Sequence, residues 1–285
     1  MHNSVDIKDK LAKNSAIIEE ALCALCNYSN DSCKTLVEVE RYGLLEGGKR
    51  IRAFLVMELC RLFGGDERSA VNYACAVEMI HASSLIHDDM PCMDNDDMRR
   101  GKPSTHKAYG ETLALIAGDS LMARAFEVIV DNALQSSATN ALAVKILANA
   151  TGACGMLAGQ TLDTVCFSKD SSLDSLIELH EHKTGKLISA SSALGCISAG
   201  IVPNDERFVA AIKYADSIGL AFQIIDDILD YREGKIEDNS FLSYMTESEA
   251  SSYAERLAKE GIDAIAPYDD GTFEALANYL TVREY

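Results

Sequence analysis

Phe222-Gln223-Ile224-Ile225-Asp226-Asp227-Ile228-Leu229-Asp230 reads as a two-faced helix. Asp226 and Asp230 are four residues apart and share a face, with Gln223 three residues before Asp226 on the same stripe. Ile224, Ile225, Ile228 and Leu229 supply the buried side. Carboxylates gathered on an apolar helix call for a cation, and hard divalent metals take several carboxylate oxygens. A second run lies upstream, His87-Asp88-Asp89-Met90-Pro91-Cys92-Met93-Asp94-Asn95-Asp96-Asp97-Met98-Arg99-Arg100-Gly101, with five carboxylates in ten positions and two arginines directly after. Pro91 interrupts it, so Asp94 is expected to return toward Asp88 through a break in the helix. The arginines want anions of their own, and a phosphate suits their planar fork. One such run could be a solvated helix end or a calcium loop. Two Asp-Asp-x-x-(x-x)-Asp patterns, each set in apolar sequence, point instead to a site that holds a diphosphate through metal and arginine.

The chain has 285 residues, 48% of them hydrophobic, enough for a large core. A formal charge of −18 argues against nucleic acid or an anionic membrane surface as the main partner. No uninterrupted apolar run reaches the roughly 18 residues of a membrane span, so stable membrane insertion is not expected. The first residues lack the basic-then-apolar form of a signal peptide, and nine cysteines without regular spacing suit a reducing, cytoplasmic setting. Cys23-x-x-Cys26, with Cys33 nearby, lacks a fourth ligand of zinc spacing and reads as buried thiols on a helix.

With four prolines and no strict alternation, helix is expected throughout, and residues 1–285 read as one all-helical domain. Helices are expected over Val5–Tyr28, Cys33–Leu45, Ala53–Phe63, Arg68–Met90, Leu113–Leu134, Thr139–Leu157, Leu173–Gly200, Asp205–Asp230, Thr246–Lys259 and Gly271–Leu280. Gly47-Gly48 before a helix start, with Lys49, Arg50 and Arg52, reads as an anion site of backbone N–H groups and cations. His81 falls seven residues before Asp88, nearly two turns, and so on nearly the same face. Lys102, His106 and Lys107 extend the basic patch. Gly152, Gly155 and Gly159 permit close approach of a neighbour, and Gln160 and Asp163 read as solvated. Lys183-Thr184-Gly185-Lys186 in mid-helix marks either a break that brings Lys183 and Thr184 to a site or an ordinary lysine surface.

Gly47-Gly48-Lys49-Arg50-x-Arg52, the first aspartate motif followed by Arg-Arg-Gly, and Phe222-Gln223-x-x-Asp226-Asp227-x-x-Asp230 together resemble the trans-isoprenyl (short-chain polyprenyl) diphosphate synthases over nearly the full length. The resemblance implies a bundle of mostly antiparallel helices around a deep central cavity, usually a homodimer, joining isopentenyl diphosphate to an allylic diphosphate. It implies three Mg2+ ions on the allylic diphosphate, held by Asp88 and Asp94 with Asp89 beside them, and by Asp226, Asp227 and Asp230. Arg99, Lys183, Thr184 and Gln223 would contact that diphosphate, and Lys49, Arg52, His81 and Arg100 would seat isopentenyl diphosphate. Such chemistry leaves a highly charged diphosphate and an allylic cation. Metal and basic side chains stabilise the first, and a dry apolar barrel protects the second.

In the family, bulk just before the first motif sets product length. Ser83 and Ser84 stand where farnesyl-forming relatives carry an aromatic, so a geranylgeranyl (C20) product is expected, with Met79 and Ile80 as the next floors and Ser83→Tyr stopping at C15. Ala53 replaces a usual proline. The segment after Asp230 is short: Asp238-Asn239-Ser240-Phe241 occupies a Lys-x-Thr-Tyr element, with Asp238 in the lysine's place and Lys235 a possible remnant of a basic loop. The short segment motivates one alternative, a non-catalytic prenyl-diphosphate-binding regulatory subunit of a heteromer; closure of the tunnel by other helices would give another, a farnesyl (C15) synthase. A class I terpene cyclase fits poorly, because aromatic residues make up only 7% of the chain and tryptophan is absent.

Overall fold

The computed structural model describes residues 5–27, 34–45, 47–234 and 239–281. Cys33, Lys235 and Asp238 lie outside the described residues. The chain forms α1 (Ile7–Leu25), α2 (Lys34–Leu44), α3 (Ile51–Leu62) and α4 (Glu67–Asp88), then a small hairpin of β1 (Met98–Arg99) and β2 (Lys102–Pro103). The short α5 (Thr105–Tyr109) leads to α6 (Glu111–Val130), α7 (Ser137–Thr151) and α8 (Met156–Thr161). After them come α9 (Leu173–His180), α10 (Lys186–Ser198), α11 (Glu206–Arg232), α12 (Glu247–Ile265) and α13 (Thr272–Thr281).

The all-α expectation holds apart from the hairpin. Its two-residue turn, Arg100-Gly101, is left-handed at both positions (φ 51 and 80), the twist that suits a tight hairpin. The long helix expected over Thr139–Leu157 stops at Thr151, and the chain turns before α8. The expected break near Gly185 is a π turn, Glu181–Gly185, through which α9 runs on into α10; a second π turn, Leu162–Cys166, prolongs α8.

Capping explains several starts: Asp66, Asp205 and Thr246 accept the backbone N–H of Arg68, Arg207 and Glu249, opening α4, α11 and α12. α3 and α4, joined by a short turn and packed on each other, form a helical hairpin. α4 packs against α3, α6 and α10, burying Tyr73, Met79 and Ile80. α11 lies between α10 and α12, with Ile224 and Ile228 in a core shared with Phe241. The 27-residue α11 and the stretch 137–166 are apolar and long enough to cross a membrane by length and composition. α11, however, is over half buried in the bundle and carries the second aspartate motif.

Candidate active site

Pro91 ends α4, and the loop then doubles back. Met93 and Asn95 donate their N–H groups to Met90 O at 2.9 and 3.1 Å, and Asp94 donates its own to Asp88 O at 2.9 Å. The expected return of Asp94 to Asp88 is therefore present. Burial, with Asp94 and Asp89 adding to it, pushes the Asp88 carboxyl up to about 6 against the pull of Lys183 and Arg99. Burial raises Asp94 as well.

Lys183 reaches these carboxylates because the π turn presses on α8. A Cβ at Gly159 would stand 2.1 Å from the Lys183 nitrogen, so only glycine admits that approach. Lys183 Nζ donates to Asp163 while standing in the fields of Asp88 and Asp94. On the other side, Thr184 Oγ1 donates to Gln223 Oε1 at 3.4 Å, and Gln223 Nε2 donates to Asp227 Oδ1 at 3.1 Å. The π turn thus bridges the two aspartate motifs. Lys183 and Thr184 therefore lie between the two motifs and not on an ordinary lysine surface.

Two aspartates point elsewhere than expected. Asp89, only 2% exposed, is committed to Arg99, which also reaches Asp96 at 3.3 Å. Each was expected to serve the diphosphate separately; here they neutralise each other. Asp227 turns inward, where Oδ2 accepts the Phe241 N–H at 2.8 Å, and burial pushes its carboxyl up to about 6. Asp226 and Asp230 share the helix face that Asp227 leaves.

The basic side needs the most correction. Arg50 is no anion receptor: it is buried against Glu19 at 2.5 Å and Glu78 at 3.1 Å. Glu78 also accepts the Ala53 N–H at 3.1 Å, so the protein's own carboxylate occupies the start of α3 that glycine and cations had marked for a ligand. Lys49 Nζ sits 4.8 Å above the Tyr279 ring. Lys107 pairs with Asp97 at 2.7 Å, and His106 is buried beside Ser104, so neither extends the patch. What remains is compact: Arg52 Nη1 lies 3.4 Å from His81 Nε2, and Arg100 donates to Gly47 O at 2.5 Å. Arg100 is close enough to act on the charge of both Arg52 and His81. Arg52 Nε is buried without a partner, a donor waiting for an acceptor.

A cavity of about 430 Å³ opens from Asp88 and Lys183 and is walled by α4, α6, α8 and the π turn. Ser84 lines it, but Ser83 is fully buried in the packing of α4 and does not. Met79 and Ile80, the next expected floors, are likewise fully buried in the core. Met122 of α6 and Met156 of α8 stand at the wall instead. Gln160, read as solvated, lines the cavity with a buried, unpartnered Nε2, and Asp163 is the partner of Lys183. Both were legible only as polar residues after a glycine, because Lys183 is 20 residues from Asp163 and the cavity that Gln160 lines is walled by other helices. Cys26 is buried as expected, but Cys23 is exposed against Arg41.

A family model described as polyprenyl synthetase matches residues 33–240. The chain belongs to the polyprenyl synthetase family. The synthetase is 41% identical to "Geranylgeranyl pyrophosphate synthase 3, chloroplastic" of Arabidopsis thaliana, over 87% of this chain and 74% of that protein. It is also 41% identical to "Heterodimeric geranylgeranyl pyrophosphate synthase large subunit 1, chloroplastic" of the same plant, covering 87% and 72%. A crystal structure of an FPP/GFPP synthase from Zymomonas mobilis superposes with TM-score 0.89 at 34% identity, covering 98% of this chain and 100% of that one. The synthetase is therefore a short-chain prenyltransferase that joins isopentenyl diphosphate to an allylic diphosphate.

Reactions of this family depend on magnesium. Among the described residues no three His, Cys, Asp or Glu side chains converge as a ready-made metal cage. Magnesium does not require one, since it commonly takes one or two carboxylates and completes its shell with phosphate oxygens and water. Asp88 and Asp94, both raised by burial and with Asp94 raising Asp88 further, are carboxylates that a cation between them would ionise, and they fit that role.

Proposed function

We propose that the synthetase makes geranylgeranyl diphosphate (C20), holding the allylic diphosphate between its two aspartate motifs. The small Ser84 at the cavity wall, where the space stays open toward Met122 and Met156, carries this reading. The names of the plant relatives support it. Asp88 and Asp94 on one side and Asp226 on the other would hold three Mg2+ ions, which supply positive charge to the leaving diphosphate. Lys183, Thr184 and Gln223 bind that diphosphate, and Arg99 reaches it on releasing Asp89. Arg52 and His81 seat isopentenyl diphosphate, with Arg100 and Lys49 the other cations proposed for it. The allylic C–O bond breaks, the double bond of isopentenyl diphosphate attacks the freed carbon, and the released diphosphate takes the proton lost as the new double bond forms. The apolar wall excludes water from the allylic cation.

A second copy of the chain is the proposed partner. Leu115, Ile116 and Val130 on α6 are 47, 45 and 62% exposed, apolar side chains that a homodimer would cover. Incubation with magnesium, labelled isopentenyl diphosphate and dimethylallyl, geranyl or farnesyl diphosphate tests the activity, with products resolved by carbon number. Mostly C20 is expected. Mostly C15 would assign a farnesyl synthase, and no product from folded protein would favour the regulatory-subunit alternative.

A further inference from the structure

The segment after α11 does more than connect helices. Asn239 Nδ2 donates to Asp163 Oδ1 at 2.6 Å, while the other oxygen of Asp163 holds Lys183 Nζ. Two residues on, the Phe241 N–H is bound by Asp227, and the Phe241 ring stacks on His180 with centroids 5.4 Å apart. Tyr244 Oη donates to Ser171 O at 2.7 Å. Asn239 is thus fixed in place by its neighbours, and its amide meets a carboxylate that has one oxygen left.

Lys183 has three carboxylates to choose from: Asp163, Asp88 and Asp94 all act on its charge. If it settled on Asp88 and Asp94 it would occupy the place of a metal ion between them. If it stays on Asp163, its charge remains beside that place and available to a phosphate oxygen. A carboxylate bonded at both oxygens cannot rotate freely, so the orientation of Asp163 decides where Lys183 rests.

We propose that Asn239 is a positioning residue, which through Asp163 keeps the Lys183 ammonium off Asp88 and Asp94 and directed at the allylic diphosphate. The inference rests on the assignment of Lys183 to that diphosphate. It gives the shortened segment a working part in the site.

The test is calorimetric binding of inorganic diphosphate, with and without magnesium, to the full chain and its variants, alongside thermal melting. Asn239→Ala should weaken magnesium-dependent diphosphate binding about tenfold, the scale of one hydrogen bond to a charged group. Asn239→Asp, which sets a second carboxylate against Asp163, should weaken it further. In an Asp163→Asn background, Asn239→Ala should add nothing. Melting temperatures within a few degrees of the parent distinguish positioning from collapse of the segment. If Asn239→Ala lowers melting strongly, Asn239→Ser supplies the binding comparison. Unchanged binding in the Asn239 variants while Lys183→Ala loses binding would overturn the inference alone. Unchanged binding in Lys183→Ala would overturn the assignment of Lys183 itself. Additive effects of Asn239→Ala and Asp163→Asn would also overturn the inference, since two independent contributions leave no coupling.

Discussion

The guanidinium of Arg52 faces the ring of His81, Nη1 to Nε2 at 3.4 Å, so two basic side chains meet where charge alone would part them. Burial first, then the charges of Arg52 and Arg100, hold His81 well below its ordinary value. The ring is neutral at working pH, and Nε2 can accept from the guanidinium. The pair therefore presents one positive charge, with Arg52 Nε unpartnered, which suits the diphosphate proposed for it.

Removing that charge should cost binding more than turnover. Arg52→Ala is expected to raise the KM for isopentenyl diphosphate by roughly 10- to 100-fold, the value of a hydrogen bond to a charged group, with a smaller change in kcat. Steady-state kinetics with isopentenyl diphosphate as the varied substrate check this. An equal loss in kcat and kcat/KM would mean that Arg52 acts only in the transition state.

Asp88 and Asp227, both pushed up to about 6 by burial, set a pH dependence. In the unfolded chain such carboxyls ionise near their ordinary value of 3.8. Between these values the unfolded state has released protons that the folded state still binds, so the stability of the metal-free protein falls as pH rises from about 4 to about 6 and levels off above. Metal binding requires the ionised form. The acid limb of activity should therefore lie near pH 6 at low magnesium and move to lower pH as magnesium is raised. Urea midpoints across pH and pH–rate profiles at two magnesium concentrations measure the two effects.

Ser83 and Ser84 should separate under substitution. Ser84→Phe projects into the cavity and is expected to shift product from C20 to C15. Ser83→Tyr overpacks α4 and should cost about 1–3 kcal/mol of stability without a clean change in product. Met122→Ala opens the far wall and should yield longer chains. Product chromatography and thermal melting of the three variants decide it.

The buried ion pairs under α3 predict a stability contrast. Arg50→Ala strands Glu78, whose side chain is 3% exposed, and should cost about 3–5 kcal/mol. Arg68→Ala breaks only the exposed, solvent-screened pair with Asp66 and should leave stability nearly unchanged. Urea denaturation at pH 7 gives both values.

Helical periodicity and two aspartate motifs were enough to read an all-α chain and a diphosphate chemistry, because both depend on neighbours within a few residues. The sharing of one face by Asp226 and Asp230 follows from helix geometry alone, and the return of Asp94 to Asp88 follows from Pro91. Contacts that depend on distant residues were not legible. Glu78 takes the start of α3 from 25 residues away, and Asp163 claims Lys183 from 20 residues away. Which serine faces the cavity was settled by how α4 is rotated against α6 and α10. Composition could mark Lys49, Arg50 and Arg52 as cations; only packing determined that Arg50 is spent inside the protein while Arg52 Nε has no protein partner. Local spacing fixes a helix face, whereas the partner that face meets depends on the folded arrangement of the whole chain.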